Sequence, residues 1–257
     1  MFRYGLKLWS TNTQYAKHAV SLYDAGRYSF IELFIVPGSL ETHLSIWEQL
    51  SIPFLLHAPH SLAGLNPARR ELESQNLKLA AEVFRFADRL DADKLVFHPG
   101  IEGTLEETVR QLSIMADNRI IIENKPYLGI GNVICNGTTP DEIRFIMEKT
   151  GVGFCLDLGH AICAANAKSV APLDYVKEFK SLAPILYHLS DGELEGVLDE
   201  HYHLGHGTYD IAALLTDIPE GSQITVETDK DFKDSLVDFE RDIIFLNTLL
   251  HSTEGRT

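Results

Sequence analysis

Short apolar segments alternate with longer amphipathic segments along the whole chain, and this alternation constrains the fold more than any other feature. Strands that are covered on both faces are continuously apolar, whereas strands with one solvated face alternate in polarity. Eight segments of strand length are apolar over most of their residues. They lie at 3–9, 30–35, 53–57, 94–98, 119–123, 152–157, 184–190 and 223–227. The pattern therefore indicates a parallel sheet with both faces covered.

Apolar residues recur at helical spacing between these segments, which predicts a helix after each strand. The predicted helices lie at about 12–25, 40–50, 70–90, 104–116, 139–149, 172–182, 208–216 and 231–250. Eight successive strand–helix units favour an α/β fold of the (β/α)8 TIM barrel type. A doubly wound open sheet is the alternative. That fold usually carries a glycine-rich loop after its first strand, and Trp9-Ser10-Thr11-Asn12 contains no glycine.

The domain organisation follows from the same pattern. No linker or low-complexity segment interrupts the chain of 257 residues. We expect a single TIM barrel domain over residues 1–251 and a frayed or disordered tail over residues 252–257.

Composition and charge exclude several classes of protein. No apolar run reaches the ~20 residues that span a bilayer, and the first residues resemble a strand rather than a signal peptide, so we expect a soluble, cytoplasmic protein. Three cysteines without paired spacing argue against a disulfide framework and against a cysteine-based zinc module. A formal charge of −15 speaks against a nucleic-acid partner unless bound divalent cations supply positive charge.

Imidazole and carboxylate side chains recur where the predicted strands end. Six of them lie at or within two residues of the C-terminal ends of strands three to eight, namely His57, His98, Glu123, Asp157, His188 and Glu227. In a barrel these ends form one mouth, where catalytic groups collect. His160 follows Asp157 closely in the next loop, and the polar segment 199–207 after strand seven adds Asp199 and His201. The sequence therefore predicts one polar cluster at this mouth.

The chemistry of this cluster points to a metal site. Taken singly, each residue has a structural explanation, such as a hydrogen bond, a buried ion pair or a turn. Their joint occurrence does not, because a barrel core gains nothing from charged side chains at successive strand ends. Five imidazoles and four carboxylates suit Zn²⁺ or Mn²⁺. Two or three such ions can clamp both oxygens of a phosphoryl transfer, so the surplus of ligands favours phosphodiester chemistry.

The polar segments resemble, in order, those of the endonuclease IV branch of the xylose-isomerase-like TIM barrels. Each of these short motifs is weakly specific alone, but the ordered set is strongly specific. The matching segments are His57-Ala58-Pro59-His60, Phe97-His98-Pro99-Gly100, Ile122-Glu123-Asn124, Cys155 to His160, Tyr187 to Asp191, Asp199 to Gly207 and Glu227-Thr228.

The resemblance implies three zinc ions per chain, with Mn²⁺ as an alternative at one or more sites. The implied ligands are His57, His98 and Glu123 for the first ion, Glu123 with Asp157, His188 and Glu227 for the second, and His160, Asp199 and His201 for the third. Glu123 would then bridge two ions. Glu123 and Glu227 are the expected catalytic residues.

The activity that the resemblance implies is hydrolysis of the DNA backbone 5′ to abasic sites, a step of base excision repair. The expected partner is DNA that contains abasic sites. A monomer is expected because a duplex must reach the mouth of the barrel.

The sequence departs from the family where substrate is handled. The loop at 35–40 has no arginine or lysine, whereas family members usually carry a polar and basic loop there. His60 stands where the family has tyrosine, Lys125 where it has a small residue, and His206 where it has glutamate. We assign His60, Lys125, His203 and His206 as candidate substrate contacts.

A sugar isomerase or epimerase of the same superfamily is the second hypothesis. Such an enzyme would use one ion, held by Glu123, Asp157, His188 and Glu227, for proton transfer next to a carbonyl. It does not need His57, His98 and the pair Asp199 and His201 together. Metal content separates the two hypotheses, because the nuclease needs close to three ions per chain and the isomerase needs one.

Overall fold

A closed parallel β-barrel forms the centre of the protein. The computed structural model describes residues 2–254. The described residues form eight strands that pair in sequence order, and the last strand pairs with the first. The strands are β1 (Arg3–Trp9), β2 (Phe30–Phe34), β3 (Phe54–His57), β4 (Leu95–Phe97), β5 (Ile120–Glu123), β6 (Gly153–Asp157), β7 (Leu186–Leu189) and β8 (Gln223–Val226). This order confirms the predicted TIM barrel.

Helices surround the barrel and cover its outer face. Those in the described range are α1 (Ala16–Asp24), α2 (Leu40–Trp47), α3 (Glu73–Leu90), α4 (Leu105–Met115), α5 (Pro140–Thr150), α6 (Leu158–Ala167), α7 (Pro172–Lys180), α8 (Ile211–Leu215) and α9 (Val237–Glu254). The sequence predicts no helix at the position of α6. Residues 158–165 of α6 are all buried, so this helix lacks the amphipathic spacing by which the others are recognised.

The C-terminal helix extends further than the sequence pattern predicts. Because α9 continues to Glu254, residues 252–254 of the predicted tail are helical. Residues 255–257 of that tail lie outside the described residues. None of the helices in the described part of the chain has the length and hydropathy that a bilayer crossing requires.

The interior of the barrel has an apolar layer below a polar layer. One buried cluster contains a single inward-facing residue from each of six strands, namely Phe30, Leu55, Val96, Ile121, Cys155 and Leu186. Side chains alternate between the two faces of a strand, so the residue two positions later also faces the interior. Those later residues are Glu32, His57, His98, Glu123, Asp157 and His188. The two-residue period of the strands therefore places the polar residues in one layer directly above the apolar layer.

Gly5 in β1 leaves the space that the Phe30 ring fills in the apolar layer. A Cβ atom at Gly5 would lie 2.2 Å from Cε2 of Phe30. We therefore expect Gly5→Ala to lower the free energy of unfolding by about 1–3 kcal/mol, because the ring must move inside a packed barrel. Urea denaturation measures this change. Adding Phe30→Leu should recover part of the loss, and an unchanged unfolding midpoint in Gly5→Ala would contradict the packing described.

Candidate metal centre

A pocket of about 770 Å³ opens at the C-terminal ends of the strands. Seven of the nine predicted ligands line it, namely His57, His98, Glu123, His160, Asp199, His201 and Glu227. The other two, Asp157 and His188, are buried and lie close to the wall of the pocket. The Nδ1 atom of His188 is 3.6 Å from Glu123 and 3.9 Å from Asp157. The structure thus brings all nine predicted ligands into one network.

The first donor group consists of His57, His98 and Glu123. The two Nε2 atoms lie 3.0 Å and 3.1 Å from the same oxygen, Oε2 of Glu123. The Nδ1 atom of His57 lies 2.8 Å from the carbonyl oxygen of Ala58, which can only accept a hydrogen bond. Nδ1 therefore carries a proton, and Nε2 is left to face the carboxylate as a ligand. An unprotonated ring nitrogen and a carboxylate oxygen both carry lone pairs. At about 3 Å they therefore need a proton or a metal ion between them.

The second donor group surrounds His188, which is fully buried at the end of β7. Its Nε2 atom donates to Oε2 of Glu32 at 2.9 Å, which leaves Nδ1 as the free nitrogen. Nδ1 lies 2.9 Å from Oε1 of Glu227, and Glu123 and Asp157 are also close. This nitrogen makes no hydrogen bond within the described residues. A buried imidazole nitrogen without a hydrogen bond, surrounded by three carboxylates, fits a metal ligand.

The third donor group consists of His160, Asp199 and His201. Each imidazole donates through Nδ1 to a backbone carbonyl, His160 to Asn124 at 2.9 Å and His201 to Glu227 at 2.6 Å. Their Nε2 atoms then converge on Oδ2 of Asp199, at 3.0 Å and 2.7 Å respectively. Fixing the ring through its second nitrogen is how proteins orient metal-binding histidines. All three groups therefore have donor sets that suit Zn²⁺.

His160 lies on a helix rather than in the loop that the sequence predicts. It belongs to the first turn of α6, and Asp157 caps that helix by accepting from the backbone amide of His160 at 2.7 Å. The Asp-Leu-Gly-His segment is therefore a helix start, which turns the His160 ring towards the pocket. One carboxylate both begins the helix and approaches the second donor group.

Charge interactions oppose burial in the third donor group. Burial lowers the pKa of His160, but the negative charge of Asp157 outweighs burial and raises this pKa to about 10. Burial also lowers the pKa of His201, and the negative charge of Asp199 raises it to about 9. Burial raises the pKa of Asp199, but the positive charges of His201 and His160 hold it well below its usual range. At neutral pH and without metal, both imidazoles are therefore cationic.

Metal uptake at pH 7 is expected to release one proton each from His160 and His201, because a metal needs the deprotonated nitrogen. Metal affinity should consequently fall as the pH falls below these pKa values. Calorimetric titration with Zn²⁺ in buffers of different ionisation enthalpy counts the protons. The His201→Asn variant should release about one proton fewer. A proton count that does not change in this variant would show that His201 is not a ligand.

Sequence reasoning missed two charged residues of the polar layer, Lys7 and Glu32. They are paired in register on β1 and β2, and Lys7 donates to Glu32 at 2.6 Å and to Glu227 at 2.5 Å. Both lie within strands rather than at strand ends. Each is a single charged residue inside an otherwise apolar strand, two residues after an inward-facing position, Gly5 or Phe30. Because side chains alternate between the two faces of a strand, this spacing could have predicted that both face the interior.

Two of the four candidate substrate contacts line the pocket. The His60 ring packs 5.3 Å from the Phe34 ring, and burial, together with the nearby His57, lowers the pKa of His60 to about 4. The Nζ atom of Lys125 lies 3.3 Å from Nε2 of His160. A neutral imidazole and a lysine therefore border the donor groups in this pocket.

The other two candidate contacts, His203 and His206, do not line this pocket, and their contact with substrate stays a prediction. Both line a separate pocket of about 220 Å³. The backbone turns at His201, which has a positive φ of 49°, and His203 then binds Oδ2 of Asp242 at 3.1 Å. The 199–207 segment therefore contributes its first residues to the donor groups and directs the later ones towards α9.

Asp191 holds the 199–207 segment in place, although it binds no other side chain of the site. Its carboxylate accepts from the backbone amides of Gly192, Gly205, Gly207 and Tyr209 at 2.9–3.1 Å. Its backbone also pairs with Tyr202 in an isolated antiparallel bridge. A Cβ atom at Gly207 would lie 2.4 Å from Oδ1 of Asp191, so this position requires glycine.

A (β/α)8 barrel with imidazoles and carboxylates at its C-terminal mouth defines an enzyme class with a candidate metal centre. The chain belongs to the xylose isomerase-like TIM barrel family, whose sequence model matches residues 35–246. It is similar to a probable endonuclease 4 of Thermoplasma volcanium, with 29% identity over 167 residues. That match covers 60% of this chain and 58% of the relative, which is less than two thirds of the relative's length.

Solved structures of two kinds share the fold. A D-tagatose 3-epimerase-like protein has 18% identity and a TM-score of 0.73, with 99% of both chains covered. Endonuclease IV from Thermus thermophilus has 22% identity and a TM-score of 0.69, with 96% of this chain and 99% of that chain covered. At these identities the likeness shows the fold alone. Nucleases and epimerases both occur among the structural neighbours.

Proposed function

We propose that this chain is a zinc-dependent phosphodiester hydrolase that cleaves DNA 5′ to abasic sites in base excision repair. The sharing of Glu123 between donor groups is the observation that carries the proposal. Its Oε2 atom faces His57 and His98 of the first donor group, and the same oxygen lies 3.6 Å from Nδ1 of His188 in the second group. A single ion needs only three or four ligands, whereas adjacent groups that share a carboxylate suit several ions.

The zinc ions would supply Lewis acidity and a nucleophile at neutral pH. The residues of this chain supply orientation and charge. The Ala58, Asn124 and Glu227 carbonyls and the Glu32 carboxylate fix the four imidazole rings that they contact. Lys125 brings a positive charge to the pocket, where it can meet a phosphate oxygen. Five imidazoles favour zinc over manganese, which remains an alternative at the carboxylate-rich second group.

We further propose abasic DNA as the partner and a monomer as the active form. The donor groups lie at the C-terminal mouth of the barrel, and a duplex must reach that mouth. The three zinc ions would add positive charge where the phosphate binds, which offsets the formal charge of −15 on the chain.

The rim of the pocket favours a second candidate, a sugar isomerase or epimerase with one metal ion on Glu123, Asp157, His188 and Glu227. Large apolar side chains project at the rim, with Trp9 54% exposed and Ile130 78% exposed. The described residues that line the pocket include three lysines and no arginine. A duplex partner is usually met by several arginines and lysines, whereas apolar and aromatic rims suit a small ring-shaped substrate.

Incubation of the zinc-loaded protein with a duplex that contains one abasic site tests the proposed function. We expect a nick 5′ to that site, no cleavage of the intact duplex, and loss of activity with a chelator that added Zn²⁺ reverses. The same preparation is assayed for proton exchange next to the carbonyl of a ketohexose. Proton exchange without nicking would replace the hydrolase by the isomerase.

A further inference from the structure

Lys7 places a fixed cation inside the second donor group. Its Nζ atom lies 2.6 Å from Oε1 of Glu32 and 2.5 Å from Oε1 of Glu227, and its side chain is 12% exposed. The same Glu227 oxygen lies 2.9 Å from Nδ1 of His188, the free nitrogen of that group. Lys7 therefore occupies a carboxylate that an ion at His188 would need.

Glu32 keeps Lys7 in this position. It is fully buried, and its Oε2 atom accepts from Thr225 at 2.5 Å and from His188 at 2.9 Å. Its other oxygen accepts from Lys7, so both oxygens of this buried carboxylate are bound to donors. If Lys7 moved away, Glu32 would lose one of its two balancing cationic partners in a dry interior, which is costly. Lys7 is therefore firmly held in the barrel.

The third donor group differs in this respect. Lys125 also contacts a predicted ligand, but it approaches Nε2 of His160 at 3.3 Å from the loop above the pocket. Among the described residues, Lys125 has no carboxylate within hydrogen-bonding distance. No carboxylate of the described residues therefore holds Lys125 beside the third group. Lys7 is held by Glu32, which is itself bound by two other donors.

We propose that Lys7 makes the His188 donor group the last of the three to take up metal. The protein then holds two zinc ions tightly and a third weakly, since an ion that shares Glu227 with an ammonium group is repelled by it. This inference rests on the proposed zinc centre. It predicts that hydrolysis depends on free zinc in a range in which two of the groups are already filled.

Titration of the metal-free protein with Zn²⁺ against a chromophoric chelator tests the filling order. The wild type should show two tight steps and a third that is weaker by about tenfold or more. Lys7→Met should tighten the third step by about tenfold or more, and His188→Asn should remove it. Lys177→Met, which removes the same charge from an exposed position on α7, should titrate like the wild type.

Lys7→Met leaves Glu32 without its cation and could weaken the fold, so the double variant Lys7→Met with Glu32→Gln is titrated as well. Glutamine keeps an acceptor for His188 without a charge, and the double variant should also show the tightened third step. Three equal steps in the wild type, or a third step that neither Lys7 variant changes, would overturn the inference and leave the zinc centre standing. Absence of tight zinc binding in all variants would instead overturn the proposed function.

Discussion

Replacing Glu123 with glutamine is expected to lower the rate of phosphodiester hydrolysis by roughly a thousandfold or more while the barrel stays folded. Glutamine has nearly the same volume but carries no negative charge, and Glu123 is only 1% exposed. The first donor group would lose its one carboxylate, and the oxygen that faces His160 would no longer be charged. Nicking of an abasic duplex under single-turnover conditions measures the rate.

The zinc content and the thermal unfolding temperature of Glu123→Gln are measured in the same experiment. Glu123→Gln should bind fewer zinc ions per chain and unfold at a temperature close to that of the wild type. Glu106→Gln is the matched control, because it makes the same chemical change at an exposed position in the first turn of α4. If Glu123→Gln nicked abasic DNA at the wild-type rate, Glu123 could not be the shared ligand.

Replacing Asp191 with alanine is expected to lower the free energy of unfolding by about 3–5 kcal/mol. The Asp191 carboxylate is 1% exposed and accepts hydrogen bonds from four backbone amides. Alanine would leave these four amides without this acceptor, and the amides of Gly192 and Tyr209 lie in buried residues. The segment that carries Asp199 and His201 would then lose its fixed path, so the third donor group should also bind zinc more weakly.

Urea denaturation and zinc titration measure the two effects of Asp191→Ala. Asp191→Asn should be intermediate, because the amide retains one oxygen acceptor. Asp174→Ala serves as the control, since that carboxylate is exposed on α7 and contacts Lys177. Asp191→Ala with wild-type stability and wild-type zinc affinity would show that the 199–207 segment keeps its path without this carboxylate.

The sequence predicts the barrel well because its strands are buried on both faces. Their apolar runs are continuous and bounded by polar segments, and the eight predicted strands match the structure to within two residues at each end. Helix α6 is not predicted, because a helix that is buried on all sides has no amphipathic pattern. Its residues 158–165 have no polar face, so nothing distinguishes a helix from other apolar chain there.

The part of the candidate site that lies at strand ends is predicted most directly. The six ligands at the ends of β3 to β8 follow from the polar residue that closes each apolar run. Lys7 and Glu32 do not, because the stagger of the strands, which the apolar pattern does not encode, decides which positions on β1 and β2 reach the same layer.

Local sequence patterns also do not predict the backbone path of the 199–207 segment. Hydrogen bonds to Asp191 and Asp242, both distant from the segment's centre in sequence, send His201 into the pocket and His203 away from it. A cluster of histidines in one loop therefore predicts a metal ligand but does not show which rings face the pocket. That the pocket-facing residues hold metal stays a prediction.

Anomalous diffraction at the zinc edge, from crystals grown with excess Zn²⁺, tests the metal centre most directly. The proposed site predicts three peaks within ~2.0–2.2 Å of imidazole nitrogens and carboxylate oxygens. One peak should lie between His57 and His98, one at Nδ1 of His188 and one between His160 and His201. Peaks confined to the protein surface, or an empty pocket in the presence of excess zinc, would contradict the metal centre.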